Sequence, residues 1–436
     1  MRYKRFALRL ILILLIALLV QAESWPIVRG NFIQEWLSKS WSVEKWDQEL
    51  AYLKEVGIEY IIISPTAFGI EEGHALRTLY PTKVEGWQEY FPDFDLLENT
   101  LRAAKRAGMK VILGLNMNDL WWKQGVKNPE WFYKEVELGN KLAEEIYTFY
   151  FPRYKDTICA WYFVWEIDNL MAREKGVTQV IANAFNKQID FLNQLDPNLF
   201  FIWSPYMNSW QATKEEYRDF WIEAFKEVHF REGDVFSPMD CVGAGGTNLE
   251  NVAGWFAEFR KAVDTKPGLK LWSNAENFDY RDWTSAPIGR FVEQLKSVDE
   301  YVDGFITFSY SHYYSPNIID SGFHNTYLEY VKTGLLDTQP PTPPTNIEFL
   351  DMLNGETFLR WDQGEDNIGV AGYIIYRNGR KIGRTQVPKK NELNLYLNAL
   401  KETNLKSGRS YTYTIVSYDF AGNMSVPSNE FVLFYE

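Results

Sequence analysis

Cysteine and histidine are scarce, with two and four residues among 436. Two thiols cannot staple a small scaffold, and neither residue type recurs at metal-ligand spacing, so no metal cluster and no cofactor is expected. Cys159 and Cys241 stand in apolar, strand-like runs, which favours buried free thiols over a disulfide. A surplus of positive charge is also missing. The formal charge of −13 argues against nucleic acid or an anionic membrane as partner, because such a chain repels phosphates. A neutral polysaccharide is not excluded. A Gly-rich dinucleotide turn is absent, and so is the nucleophile elbow expected of an esterase.

Long apolar runs are few. Residues 10–20 form one of eleven residues, short of the ~20 needed to span a bilayer. Arg2, Lys4, Arg5 and Arg9 precede or open it and Val20-Gln21-Ala22 follows with small residues, the pattern of a secretion signal cleaved after Ala22. Export is the expectation, with an uncleaved anchor as the alternative. Cleavage would remove those four cations and take the charge from −13 to −17.

What the chain has in plenty is aromatic side chains, 17% of residues, including 17 Trp and 26 Tyr. Most belong in a core. Some suit a groove for sugars, which offer an apolar face and a wet rim to a ring.

Residues 158–169 (ICAWYFVWEIDN) read as a strand too apolar to be half-exposed, ending in a carboxylate. Strand alternation puts Glu166, Val164, Tyr162 and Ala160 on one face and Trp161, Phe163 and Trp165 on the other. Similar strand-like segments at 27–36, 59–68, 110–119, 199–208, 234–243, 270–279 and 302–310 alternate with helical patterns that begin at 43, 94, 129, 177, 214, 249, 287 and 323. Eight strand–helix pairs across residues 23–335 predict an α/β fold, a (β/α)8 TIM barrel, over a doubly wound open sheet.

Pro340-Pro341-Thr342-Pro343-Pro344 lies in an extended linker, residues 336–345. Beyond it, residues 346–436 change to short alternating strands with an Asn378-Gly379 hairpin signal, predicting a small all-β immunoglobulin-like sandwich. The segments GYIIYRNG, YTYTIVSYD and AGN resemble fibronectin type III modules of secreted bacterial carbohydrate enzymes, with Tyr411 or Tyr413 at the tyrosine corner. Such modules serve as spacers, so no chemistry is assigned to it.

Glu166 ends the fourth strand and Glu276, within WSNAENFD, the seventh. Glycoside cleavage needs two carboxyl groups, one to protonate the leaving oxygen and one to attack or to activate water. The arrangement resembles the large superfamily of retaining glycoside hydrolases on (β/α)8 barrels, and also a bacterial family of such barrels catalogued only as a domain of unknown function. The resemblance implies a catalytic acid/base at Glu166, a nucleophile at Glu276 and a saccharide substrate. It implies carboxyls about 5–5.5 Å apart, against about 6.5–9.5 Å for inversion. A proton donor must hold its proton, so Glu166 is expected to titrate above Glu276. The chain departs from that superfamily at Trp165, where an Asn normally precedes the acid.

Other strand ends supply candidate sugar contacts. They are Gln34 and Trp36 after the first strand, Asn116, Asn118 and Trp122 around the third, and Trp165 at the fourth. Tyr206 follows the fifth, Asn274 lies in the seventh, and Tyr310 and His312 follow the eighth. Asp240, at the sixth, is expected either to tune a catalytic Glu or to bond the turn at 243–246. Asp119 and Asp168 read as helix caps. The rival reading is a non-catalytic carbohydrate-binding or scaffold protein on the same barrel.

Overall fold

In the computed structural model the described residues are 25–70, 75–86, 88–89, 95–351, 356–390 and 397–436. The proposed signal at 1–22 lies outside them. Eight parallel strands close a barrel: β1 (Gly30–Phe32), β2 (Tyr60–Ile63), β3 (Lys110–Gly114), β4 (Ile158–Phe163), β5 (Phe200–Trp203), β6 (Val235–Phe236), β7 (Lys270–Glu276) and β8 (Gly304–Phe308). Each strand pairs in parallel with its sequence neighbours, and β1 pairs with β8. Around it run α1 (Val43–Glu55), α2 (Leu96–Ala107), α3 (Pro129–Phe149), α4 (Val177–Leu195), α5 (Lys214–Glu227), α6 (Leu249–Val263), α7 (Ile288–Val298) and α8 (Ser321–Thr333).

Local chemistry sets the helix ends. Ser42, Asp95, Asn128 and Asn248 each accept a backbone N–H at a helix start, and Thr213 with Glu216 forms a capping box for α5. Pro129 occupies the first turn of α3, where its missing N–H costs nothing. Most of the aromatic surplus is core. Trp203 of β5 stacks on Phe230 at 4.6 Å and 5°, with Trp221 of α5 against it at 5.9 Å.

All eight strands are shorter than the segments the sequence predicts, and the departures at β2, β6 and β8 redirect the chain. β2 stops at Ile63, where Pro65 has no N–H to donate. The chain then leaves the barrel, and Ala67–Ile70, Ala75–Thr78, Gln88–Glu89 and Asn116–Asn118 form a small separate sheet. β6 is cut short before Pro238, with one further bridge between Met239 and Asn274. β8 gives way at Ser309 to a helical turn, Tyr310–Tyr313.

The C-terminal region is two packed antiparallel sheets. Strands β9 (Thr345–Asp351), β10 (Thr357–Asp362) and β13 (Ala399–Glu402) make one. Strands β11 (Val370–Arg377), β12 (Arg380–Gln386), β14 (Arg409–Asp419) and β15 (Phe431–Tyr435) make the other. Asn378 and Gly379 both have positive φ at the β11–β12 turn, as a type I′ hairpin demands. The Tyr411 hydroxyl accepts from the Lys406 amide at 2.9 Å, five residues upstream.

This sandwich is seated on the barrel. Phe420 packs edge-on to Phe323 of α8 at 4.9 Å, and the amides of Ile288 and Gly289 donate to the carbonyls of Phe420 and Ala421, both at 2.9 Å. A Cβ on Gly322 would fall 2.1 Å from the Phe420 ring, so the contact requires glycine there. Gln386 exchanges two hydrogen bonds with the backbone of Ser285, at 2.9 and 2.8 Å. Phe420 and Tyr418 belong to the barrel's own hydrophobic core.

Candidate active site

At the carboxyl ends of the strands lies a cavity of about 700 Å³. Glu166 and Glu276 both line it, with Gln34, Trp36, Tyr206, Asn274 and His312. The strand-phase reading of β4 holds: Tyr162, Val164 and Glu166 face the cavity.

Glu276 closes β7 beside Phe308 of β8 and is 4% exposed. Its Oε2 accepts the Ala244 amide at 2.6 Å. A Cβ on Gly243 would sit 2.7 Å from the Glu276 Cβ, so glycine there lets the turn approach the carboxyl. Behind it Asp240 is buried. Its Oδ1 accepts from the amides of Val242 and Glu276 at 3.1 and 3.2 Å, and its Oδ2 accepts from Gln294 Nε2 at 2.5 Å. Arg290 clamps the carbonyls of Glu276 and Phe278 at 3.0 and 2.8 Å. Asp240 thus bonds Val242 rather than the amides of the 243–246 turn, and it packs behind Glu276 without lining the cavity.

Burial pushes the Glu166 carboxyl up to about 7, and the Asp168 charge adds to the rise. Burial, then the Asp240 charge, raise Glu276 to about 8, against the opposing pull of the Ala244 amide and Arg290. Asp240 is itself raised by burial to about 6, although its three N–H donors favour the charged form. The expected order, Glu166 above Glu276, is not seen: each carboxyl is raised by burial and then by a carboxylate neighbour, Asp168 for Glu166 and Asp240 for Glu276.

Gln34, Trp36 and His312 form one unit. Trp36 Nε1 donates to Gln34 Oε1 at 2.9 Å, the Gln34 amide donates to His312 Nε2 at 3.4 Å, and the Trp36 and His312 rings meet edge-on at 4.8 Å. Burial drives His312 down to about 3, so it is a neutral ring at physiological pH and no general base. The loop that carries it is held by Glu49 of α1, which accepts from Ser311, Ser315 and Asn317 at 2.6, 2.5 and 2.8 Å. Asn274 donates to Ser204 at 3.3 Å, while its Oδ1 is buried with no hydrogen-bond partner among the described residues. Tyr206 keeps its proton through burial and through nearby charges that include both glutamates.

Five sequence candidates lie elsewhere. Asn116 and Asn118 belong to the separate sheet and donate to Glu135 of α3, at 3.0 and 3.1 Å, so Met117 lines the cavity in their place. Trp122 is 59% exposed on a 3-10 turn outside the cavity, while Trp121 is buried. Trp165 faces the helices, packed against Trp121 and Phe132 at 5.4 and 5.7 Å. Tyr310 is turned inward by the helical turn after β8, with its hydroxyl on His324 Nδ1 at 2.8 Å. Asp168 accepts the amides of Leu170 and Met171 without being the cap of the 3-10 turn that follows, and Asn118, not Asp119, caps the turn after β3.

Sequence reading missed Trp283 and Lys389, which also line the cavity. Trp283 sits on a short hairpin after β7 with no hydrophobic period to reveal it, and Lys389 comes from the sandwich. The module read as a spacer places this one residue on the cavity lining.

With this geometry in place, comparison with known proteins identifies the family. Residues 28–320 match the family described as a domain of unknown function, DUF4434. The chain belongs to that family. This DUF4434 protein is 24% identical over 200 residues to exoglucanase B of Cellulomonas fimi, a match covering 45% of this chain and 16% of that one. It is 34% identical over 93 residues to chitinase A1 of Niallia circulans, covering 21% and 12%. The chain thus spans less than a fifth of either relative. Among solved structures, a protein assigned as an alpha-L-fucosidase of Bacteroides thetaiotaomicron aligns with TM-score 0.58 at 22% identity, over 71% of this chain and 96% of that one. The fold is that of glycoside hydrolase-like barrels.

Proposed function

We propose that this DUF4434 protein is an exported glycoside hydrolase acting on an oligo- or polysaccharide through two carboxyl groups. The observation that carries the reading is the pair of half-buried Glu166 and buried Glu276, at the ends of two strands three apart in one barrel and facing one cavity, both raised toward neutral pH. By the resemblance in strand position, Glu166 is read as acid/base and Glu276 as nucleophile, with retention. Neutral His312 and Gln34 supply hydrogen bonds to sugar hydroxyls, and Trp36 supplies an apolar face. The chitinase and exoglucanase similarities support a carbohydrate substrate. The sandwich, a three- and a four-stranded sheet with a Tyr411 corner, is read as a fibronectin type III-like module.

The test is reducing-sugar release from a panel of polysaccharides by wild type and Glu276→Gln. Release that vanishes in the variant supports the reading. Undiminished release by the variant removes Glu276 as nucleophile, and binding to the panel without release by either protein favours the carbohydrate-binding rival. Proton NMR of the first anomer released decides retention against inversion.

A further inference from the structure

Trp283 is an anomaly that the two-carboxylate reading does not use. It ends the four-residue loop between the short strands Phe278–Asp279 and Thr284–Ser285, with φ of 54°. Left-handed backbone at a hairpin loop is the place for Gly or Asn, and a bulky side chain there is strained. Its side chain is also 60% exposed, so burial does not offset the strain. Such a residue points to function.

The ring is nevertheless fixed. It stacks on Phe278 at 5.4 Å and 12°, one face against the barrel. The sandwich holds its loop: Arg384 of β12 bonds Asp282 and Thr284, and Gln386 bonds Ser285. Trp283 is shared by two hollows. One is the catalytic cavity; the other is a groove of about 450 Å³ between barrel and sandwich, floored by Ile319 and walled by Thr385, Pro388 and Leu400. Lys389 is common to both as well. In the groove Arg384 is paired with Asp282 and Lys401 with Glu356, while the Lys389 ammonium lies over the Tyr313 ring at 4.5 Å.

We propose that Trp283 is a sugar-stacking platform joining the catalytic cavity to a distal subsite in this interdomain groove. The occupant is the stretch of an uncharged saccharide chain adjoining the unit held at Glu166 and Glu276. A rigid indole offering a bare face suits the apolar face of a pyranose, and apolar walls with Arg384 and Lys401 held in ion pairs suit a neutral chain. The sandwich is then part of the binding cleft, and the preferred ligand is an oligosaccharide long enough to cross Trp283. The inference rests on the saccharide reading of the cavity but not on turnover.

The test uses the full chain carrying Glu276→Gln, titrated calorimetrically with cello-, manno- and chito-oligosaccharides from disaccharide to hexasaccharide. Affinity in at least one series is expected to rise with length. Adding Trp283→Gly should abolish about tenfold of that gain, and Trp283→Phe should keep most of it. Glycine tolerates the φ of this position, so Trp283→Gly should melt no lower than its parent. A length gain untouched by Trp283→Gly, or no series that gains with length, overturns the proposal. Length-dependent binding lost in Trp283→Gly, beside a wild type that cleaves nothing, leaves the platform standing and sinks the hydrolase reading instead.

Discussion

Glu276→Gln separates catalysis from stability without knowledge of the substrate. Glu276 is a buried acid whose folded value, about 8, lies far above its ordinary 4.5. Below pH 4.5 it is protonated folded or unfolded, and the site costs nothing. Between 4.5 and 8 the unfolded chain releases the proton while the folded protein keeps it, so stability falls as pH rises. At about 1.4 kcal/mol per pH unit, the interval makes the penalty about 5 kcal/mol above pH 8. Gln has the same shape, can still accept the Ala244 amide and never ionises. The variant should match wild type near pH 4 and exceed it progressively up to pH 9. Urea unfolding followed by tryptophan fluorescence across that range measures the difference. A variant equally or less stable than wild type at pH 9 would refute the claim that Glu276 is held as a buried neutral acid.

Three further outcomes test the site and its supports. Asp240→Asn keeps an oxygen for the Val242 and Glu276 amides but removes the charge, so the Glu276 limb of a kcat/KM–pH profile should drop by ~1–3 pH units; an unmoved profile would refute the coupling. Glu166→Gln should cost ~10²–10⁴ in kcat on natural glycosidic bonds and far less on aryl glycosides with acidic leaving groups; equal losses on both would remove Glu166 as proton donor. Phe420→Ala should destabilise by ~3–5 kcal/mol, because it empties the barrel–sandwich contact, and a change under 1 kcal/mol by thermal melting would contradict a docked sandwich.

The barrel was legible because parallel strands buried on both faces are near-continuous apolar runs, and its helices carry capping residues where they start. The residues on the cavity face of β4 and the end of β7 followed from alternation alone. Alternation failed where the strand itself ended. Asn116 and Asn118 continue past β3 into another sheet, and Tyr310 lies on a helical turn, so neither inherits the barrel's phase. Trp165 is placed correctly by the same alternation, outward with Trp161 and Phe163, and its selection as a sugar contact contradicted that placement. Lys389 was out of reach because its position depends on how two domains dock.

The raised Glu276 carboxyl has a consequence for the roles of the two glutamates. If Glu166 must be protonated and Glu276 ionised, the burial and the Asp240 charge that raise Glu276 oppose the state its role requires. Position on the strands and the raised Glu276 carboxyl therefore pull in opposite directions, and Asp240 is the residue that sets them against each other. Its charge, steadied by two amides and Gln294, keeps the proton on Glu276 in the empty cavity. Removing that charge in Asp240→Asn lowers Glu276. A nucleophilic Glu276 then becomes ionised in more molecules, and peak kcat/KM should rise several-fold; a Glu276 that serves as the acid loses its proton, and peak kcat/KM should fall by a similar factor. The sign of one measured change thus assigns both carboxyl groups.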